Sequence, residues 1–139
     1  MMSSGLHAGL VQVGANYPQT TISQGLEVST PGDTLMVHSG TYRERALVVP
    51  HQLTLIGQNN PVIDGNFEGE ILTVTADNVT IEGITFKGSG LSHLDENAAI
   101  RFEETQGGRV SNNIFEDNFF AVYISQSEKC LIENNIIKG

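Results

Sequence analysis

VSNNIF (residues 110–115) and IENNII (residues 132–137) match when one stretch is laid over the other, and this match decides the fold. The matched pairs are Val110 with Ile132, Asn112 with Asn134, Asn113 with Asn135 and Phe115 with Ile137, all 22 residues apart. AIRFEET (residues 99–105) lies over AVYISQS (residues 121–127) at the same offset of 22. Two separate stretches that share one offset indicate a repeating chain.

The repeat extends toward the N-terminus with a slightly longer period. LTLIG (residues 53–57) lies over VTIEG (residues 79–83) at an offset of 26. Short β-rich runs broken by Gly, Asn and Asp, with a period in the low twenties, predict an all-β parallel β-helix, a solenoid in which each coil stacks about 4.8 Å above the last. A sandwich does not repeat in this way, and no second helical pattern supports a βαβ fold.

Stacked coils place like residues in columns. We predict an interior aliphatic column and, at the turns, ladders of paired asparagines like those in cross-β structures. The members of the column are Leu55, Ile81, Val110 and Ile132.

One short helix is predicted before the repeats. Thr21 followed three residues later by Gln24 fits a capping box, and Ile22 and Leu26 share one helical face. Gly25 lowers the helix propensity, so we expect about two turns. Terminal units of repeat proteins usually cover the end of the stack, and we assign this helix that capping role.

The domain organisation follows from these elements. We predict an N-terminal lead-in over residues 1–19 and one β-helix domain over residues 20–139. The last residues, IIKG (136–139), form a bare strand edge. We therefore expect this domain to be the N-terminal portion of a longer β-helix, or to associate end-to-end with a second copy.

The amino-acid composition argues against several classes of binding partner. The net charge is −9, from 16 acidic and 7 basic residues, which argues against nucleic acid and anionic membrane surfaces. Trp is absent and only three Tyr are present, so few of the rings that usually stack on sugars are available. The start of the chain has neither the pattern of a signal peptide nor that of a membrane span, so no membrane insertion is expected.

Four longer stretches resemble the N-terminal part of the NosD family, the accessory proteins of copper-site assembly in nitrous oxide reductase. They are PGDTLMVHSGTYRE (31–44), LTLIGQNNPVIDG (53–65), ILTVTADNVTIEGITFKGSG (71–90) and FEDNFFAVYISQSEKCLIENN (115–135). Together they extend the resemblance over roughly residues 20–139. Similar stretches occur in the wider group of carbohydrate-binding and sugar-hydrolase repeat proteins.

The resemblance implies a right-handed parallel β-helix located in the periplasm. It further implies protein partners, namely an ABC transporter and nitrous oxide reductase, while copper or the sulfur of its cluster is installed. No copper-ligand motif of the family falls on matched positions, so the resemblance assigns no metal residue here.

Met36 and His38 are the metal candidates that the residues themselves suggest. Strand alternation turns Leu35 and Val37 inward, which puts Met36 and His38 on one outer face. A thioether with an imidazole suits Cu(I), so copper is the predicted cofactor. The alternative is an exposed methionine and a histidine that bonds to backbone near Gly40.

A cysteine and a polar loop offer further possible ligands. Cys130 corresponds to Val79 in an earlier repeat, so it is predicted to point inward as a small core residue. The polar loop SHLDEN (92–97) offers His93, Asp95 and Glu96 for a hard cation or a partner, against the alternative of a solvated loop.

Catalysis is not predicted. β-Helix glycosidases and lyases need carboxylates clustered on one outer face. The repeat stacks Glu82 over Ser111 and Glu133, which leaves two carboxylates two coils apart, roughly 9–10 Å. Glu103 stacks over Ser125 and Glu104 over Gln126.

Four other polar residues are predicted to have structural roles. Tyr42 should pack over the end of a coil beside a solvated Arg43, and Asp33 and Asp64 should serve turns next to glycine.

Three functions fit these observations. The first is a non-catalytic NosD-like accessory protein that docks other proteins and holds copper. The second is a carbohydrate-binding or polysaccharide-modifying β-helix of the lyase or epimerase type. The third is a stand-alone structural repeat protein that dimerises through its bare end.

Overall fold

The computed structural model describes residues 9–90 and 97–139. Within them, α1 spans Ile22–Val28. The strands are β1 (Leu10–Val13), β2 (Thr34–Val37), β3 (Thr41–Tyr42), β4 (Leu47–Val49), β5 (Thr54–Gly57), β6 (Val62–Asp64), β7 (Leu72–Val74), β8 (Thr80–Glu82), β9 (Thr85–Lys87), β10 (Ala98–Glu103), β11 (Arg109–Ser111), β12 (Ile114–Glu116), β13 (Phe120–Ser125), β14 (Leu131–Glu133) and β15 (Ile136–Lys138). No helix in this part of the chain is long and apolar enough to cross a membrane.

The strands form three parallel sheets, and each full coil contributes one strand to each sheet. The first sheet has the order β1-β2-β5-β8-β11-β14, the second β3-β6-β9-β12-β15, and the third β4-β7-β10-β13. Neighbouring strands are parallel in every pair of the described chain. The predicted parallel β-helix is therefore confirmed.

The register between coils reproduces the sequence offsets. Val110 pairs with Ile132, and Leu55 pairs with Ile81, as the repeat predicts. The predicted column extends further toward the N-terminus, because Leu35 pairs with Leu55. These side chains are fully buried except for Ile132, which lies on the edge strand β14 and is 42% exposed.

The asparagine ladder lies at the short turn between the first and second sheets. Asn113 Oδ1 accepts the backbone N–H of Ile84 in the preceding coil, and its Nδ2 donates to the carbonyl of Ile81. Asn135 repeats the arrangement one coil later, where it accepts from Asn113 N and donates to the carbonyl of Val110. An amide carries both a donor and an acceptor, so this side chain can satisfy backbone groups that the turn leaves unpaired.

Helix α1 has the predicted capping box, with Thr21 accepting from Gln24 N and the Gln24 side chain accepting from Thr21 N. The carboxylate of Glu44 adds a second clamp by accepting the N–H groups of Ile22 and Ser23 at 2.7 and 2.9 Å. Helix α1 lies directly before β2 in the chain, the place that the third-sheet strand β4 takes before β5. It packs on β1, β2 and β4. It therefore covers the N-terminal end of the stack.

The predicted lead-in, residues 1–19, contains a strand of the first sheet. β1 pairs with β2 along its whole length, from Leu10 opposite Thr34 to Val13 opposite Val37. The sheet thus begins before residue 20. The offset from β1 to β2 is 24 residues, between the offsets of 20 and 26 of the next two coils, so β1 keeps the period although the segment after it folds as α1.

The predicted structural residues occupy turns and coil ends. Tyr42 is buried and its hydroxyl donates to the carbonyl of His38 at 2.7 Å, and burial with the nearby Glu44 charge raises the pKa of Tyr42. Asp33 is buried, which alone would raise its pKa, but hydrogen bonds from Thr30 and Gly9 lower the pKa below its ordinary value. Asp64 accepts from the backbone of Asn66, and Arg43 is exposed, as predicted.

The coil formed by β13, β14 and β15 exposes apolar side chains that earlier coils bury. Phe115 is 1% exposed, whereas its partner Ile137 in the next coil is 71% exposed. The exposed apolar residues of this coil are Phe119, Phe120, Ile124, Leu131, Ile132, Ile136 and Ile137. This end of the molecule therefore presents apolar surface together with three strand edges.

We predict that Gly25→Ala destabilises the fold although alanine favours helices. A Cβ at position 25 would lie 2.5 Å from Val13 Cγ2 and 2.8 Å from Leu35 Cδ1. Overpacking of this kind costs about 1–3 kcal/mol, more than the gain in helix propensity of roughly 1 kcal/mol. Urea unfolding measures the difference, with the solvent-facing Glu27→Ala as control. A Gly25→Ala protein more stable than wild type would show that α1 does not pack this closely.

We also predict concentration-dependent self-association of this chain through the coil of β13 to β15. Replacing Ile137 by lysine places a charge on the exposed apolar end and should shift the protein toward monomer. Val48→Lys is the matched control, since Val48 is 47% exposed on β4 near the opposite end. Sedimentation velocity across concentration reports the result, and a wild-type monomer at every concentration contradicts the prediction.

Candidate functional site

Met36 and His38 share the outer side of β2, as predicted. Leu35 and Val37 are fully buried, while Met36 and His38 are half-buried. His38 does not bond to backbone near Gly40; its Nε2 lies 2.9 Å from Gln12 Oε1, and its ring stacks on Tyr17 with centroids 4.6 Å apart. A metal at His38 would have to displace Gln12 from Nε2 or use Nδ1.

The other candidate ligands are placed as follows. Cys130 is partly buried and packs against the core, in keeping with its predicted inward direction. His93, Asp95 and Glu96 lie outside the described residues. In residues 9–90 and 97–139, no group of three or more His, Cys, Asp or Glu side chains is arranged to hold a metal ion.

Glu82 and Glu133, the two carboxylates that could form a catalytic pair, stack as the repeat predicts. Ser111 pairs with Glu82 on one side and Glu133 on the other, which keeps the two carboxylates two coils apart. A groove of about 530 Å³ lies at the turns between the third and first sheets. It is lined by Asp77, Glu104, Thr105, Gln106, Gln126, Ser127 and Glu128. Asp77 accepts from Gln106 N, and Ser127 Oγ accepts from Thr105 N, so these side chains link coils.

His51 and Ser29 form a pair for which the sequence offered no pattern. His51 Nε2 lies 3.2 Å from Ser29 Oγ, and Nδ1 lies 3.0 Å from the carbonyl of Gln52. Ser29 is only 8% exposed, and its hydroxyl donates to the carbonyl of Leu26 at 2.7 Å. The hydroxyl is therefore engaged at the C-terminal cap of α1, which is a structural role.

The outer face of the third sheet carries the most developed polar and aromatic arrangement. Val48, Thr73, Arg101 and Tyr123 occupy one outward column in four successive coils. The turns around this column add Glu70 before β7 and Phe119 before β13. The stacking of coils therefore gathers residues that are far apart in the chain, such as Glu70 and Tyr123, which are 53 positions apart.

Arg101 is the centre of this arrangement. Its Nε donates to Glu70 Oε2 at 2.6 Å, with both side chains largely buried at 18% and 22% exposure. The carboxylate of Glu70 is itself held by the Thr73 hydroxyl at 2.9 Å. Burial alone would lower the pKa of Arg101, but the hydrogen bond and charge of Glu70 raise it above its ordinary value. The guanidinium is thus fixed in place and permanently charged.

Three aromatic rings form a series of contacts that begins at Arg101. The guanidinium carbon of Arg101 lies 4.4 Å from the centroid of the Tyr123 ring, a cation–π contact. Tyr123 contacts Phe120 at 5.6 Å between centroids, and Phe120 contacts Phe119 edge-on at 4.9 Å. We call Glu70, Arg101, Phe119, Phe120 and Tyr123 the aromatic–arginine patch.

The patch combines aromatic surface with a fixed ion pair. Exposed aromatic rings offer apolar area at low entropic cost, and they lie beside the charges of the Arg101–Glu70 pair. Phe119 and Phe120 are 42% and 37% exposed, like the other apolar residues of the end coil, and Phe120 pairs with the buried Ala98 of the preceding coil. Sequence reasoning missed the patch because composition counts aromatic residues without locating them. The signal available was FEDNFFAVYI (115–124), the aromatic-rich part of the last repeats.

Comparison with known proteins bears out the architecture. Residues 49–139 match the family described as "Right handed beta helix region". The match includes 91 of the 139 residues, and the chain belongs to this family. The right-handed sense expected from the resemblance is the sense of this family.

A solved structure of similar shape is the pectin methylesterase from Aspergillus niger in its penultimately deglycosylated form. The sequences are 16% identical, the TM-score is 0.43, and the overlap covers 94% of this chain and 59% of the enzyme. A likeness at this level carries no argument about activity. No curated protein sequence matches the chain.

If Met36 and His38 bind Cu(I), we predict that the affinity for Cu(I) depends on Gln12. Gln12→Ala should strengthen binding because it frees His38 Nε2, whereas His38→Ala and Met36→Leu should abolish it. An anaerobic titration against a chromophoric Cu(I) chelator measures this. Equal copper retention by wild type and His38→Ala would remove the site from this strand.

Proposed function

We propose that this protein is a non-catalytic binding protein, a β-helix that docks its partner on the aromatic–arginine patch. The observation that carries the proposal is the Glu70–Arg101–Tyr123 contact chain beside two exposed phenylalanines. Structural ion pairs do not require exposed aromatic rings next to them. Binding surfaces, in contrast, are enriched in tyrosine, phenylalanine and arginine.

The rigidity of the sheet supports a docking role. Arg101 and Tyr123 sit on neighbouring strands joined over five register pairs, from Ala98–Phe120 to Glu103–Ser125. Side chains on such strands keep their relative positions without a ligand. A preorganised surface loses less entropy on binding, which favours specific recognition.

The resemblance to NosD proteins supports a specific version of this proposal. In that version the protein acts in the periplasm, and its partners are an ABC transporter and nitrous oxide reductase during delivery of copper or sulfur. Met36 and His38 would then be a copper site on the first sheet, separate from the docking patch on the third.

A second candidate is carbohydrate binding, and one observation favours it. Tyr123 presents an aromatic ring beside the hydrogen-bonding Arg101–Glu70 pair, and sugars are recognised by ring stacking combined with planar polar groups. This candidate does not require catalysis, and it uses the same patch.

We predict that Tyr123→Ala lowers the affinity for the partner at least tenfold. Aromatic anchors commonly contribute roughly 2 kcal/mol or more to the free energy of binding. Tyr123→Phe should retain most of the affinity because it keeps the ring over Arg101. Val48→Ala is the matched control, since Val48 lies in the same outward column away from the patch. Biolayer interferometry with purified nitrous oxide reductase and its ABC transporter tests protein docking, and a panel of oligosaccharides tests the second candidate.

The outcomes separate the two candidates. Binding to either protein partner that Tyr123→Ala weakens supports docking, and binding to an oligosaccharide that it weakens supports carbohydrate recognition. Equal binding by wild type and Tyr123→Ala to every partner would refute a role for the patch.

A further inference from the structure

The outer face of the second sheet carries charges that alternate in sign along the axis of the β-helix. Asp64, Lys87, Glu116 and Lys138 pair in succession, one from each of four neighbouring strands. Arg43 directly follows β3, which places it beside Asp64 in the preceding coil, and both residues line one small groove. We call these five residues the charge column.

The same face carries a second outward column that has no charge. Its members are Thr41, Val62, Thr85, Ile114 and Ile136. Val62 and Ile114 are half-buried, and Ile136 is 53% exposed. An aliphatic stripe on the outer side of a sheet is surface that can pack against a second sheet.

Contacts within the chain leave the charge column available. Its five members all lie in the described part of the chain, and no ion pair there joins one member to the next. Asp64 accepts from the backbone N–H of Asn66, and Arg43 is exposed. The charged groups can therefore face opposite charges on a second molecule.

This face also lacks the excess of acidic residues that keeps copies of the chain apart. The charge column contains three of the seven basic residues and only two of the 16 acidic ones. On the first sheet, in contrast, the outward column through Ser111 carries Glu82 and Glu133. That column would repel its own copy, whereas a column of alternating charges can be matched to itself.

We propose that two copies of this chain pack face to face through their second sheets, related by a two-fold axis perpendicular to the helix axes. Such an axis reverses the order of the coils in one copy and keeps each column opposite the same column of the other. With the axis between Lys87 and Glu116, Lys87 faces the partner's Glu116 and Asp64 faces the partner's Lys138. All four of these residues then meet opposite charges.

The uncharged column selects this register. It sets Ile114 against the partner's Thr85 and the exposed Ile136 against the partner's Val62, across the spacing of about 10 Å at which sheets pack. Moving the two-fold axis by one coil, to the N-terminal side of Lys87, would leave Ile136 uncovered. An axis parallel to the helices sets each charge opposite its own counterpart or opposite the uncharged column. The partner that fits this face best is therefore an antiparallel second copy.

Charge reversal tests this dimer. All variants are made in the Ile137→Lys protein, so that the coil of β13 to β15 contributes little, and sedimentation equilibrium measures the dimer dissociation constant. Lys87→Glu and Glu116→Lys should each raise this constant roughly tenfold or more, because each places two like-charge contacts in the interface. Glu82→Lys, on the first sheet, is the control with the same change of charge and should leave the constant nearly unchanged.

The double variant Lys87→Glu/Glu116→Lys decides the register. It restores opposite charges across the proposed interface, so the dissociation constant should return close to that of the parent. Within one chain it sets like charges side by side, next to Asp64 and Lys138, so a purely internal role of the charges predicts no recovery. Lys87→Gln and Glu116→Gln remove charge without reversing it, and they replace any reversal that circular dichroism shows to be unfolded.

Three results would overturn the proposal. The first is a parent protein that is monomeric at every concentration. The second is a set of single variants, reversed or neutral, that dimerise as well as the parent. The third is a folded double variant that dimerises no better than the single reversals.

Discussion

The parallel backbone ladder between stacked coils is the constraint on which the rest of this structure depends. Each strand pairs with its counterpart one coil away, so a residue can only lie above its own equivalent. The register fixes which side chains face inward, and a slip of one residue would turn the whole interior column outward. Turns may vary in length, as the offsets of 22 and 26 show, because the added residues leave the sheets at the corners.

The ladder leaves an end at each side, and the two ends differ. At the N-terminal side, α1 replaces a strand of the third sheet and packs on β4, held by its capping box and by Glu44. The close approach of Gly25 to Val13 and Leu35 shows how tightly that cover fits. At the other side, β13, β14 and β15 carry the same inward residue types but leave them partly exposed. The apolar side chains that form the interior of the earlier coils are therefore partly exposed at this end.

The outer faces of the sheets are free of the packing constraint, and there the chain can place residues for binding. On the third sheet that freedom produces the contact chain from Glu70 through Arg101 to Tyr123. At the turns it allows the half-exposed Phe67 in a left-handed conformation. The rigid ladder beneath these residues holds them in fixed positions, which is why a surface made of short strands and turns can still be preorganised for a ligand.

Periodic and local patterns in the sequence were enough to predict the parallel β-helix, the register of its repeated coils and its capping helix. Val110 over Ile132, the Asn113–Asn135 ladder and the Thr21–Gln24 box are all readable from spacing. The inward direction of Leu35 and Val37 followed from strand alternation. Only the tertiary structure showed that β1 belongs to the first sheet, since a helix and not a strand follows β1 within that coil. It alone brought Glu70 and Arg101, 31 positions apart, into contact, because Glu70 lies in the turn before β7, whose path no repeat in the chain fixes, whereas the place of Arg101 next to Tyr123 follows from the offset of 22.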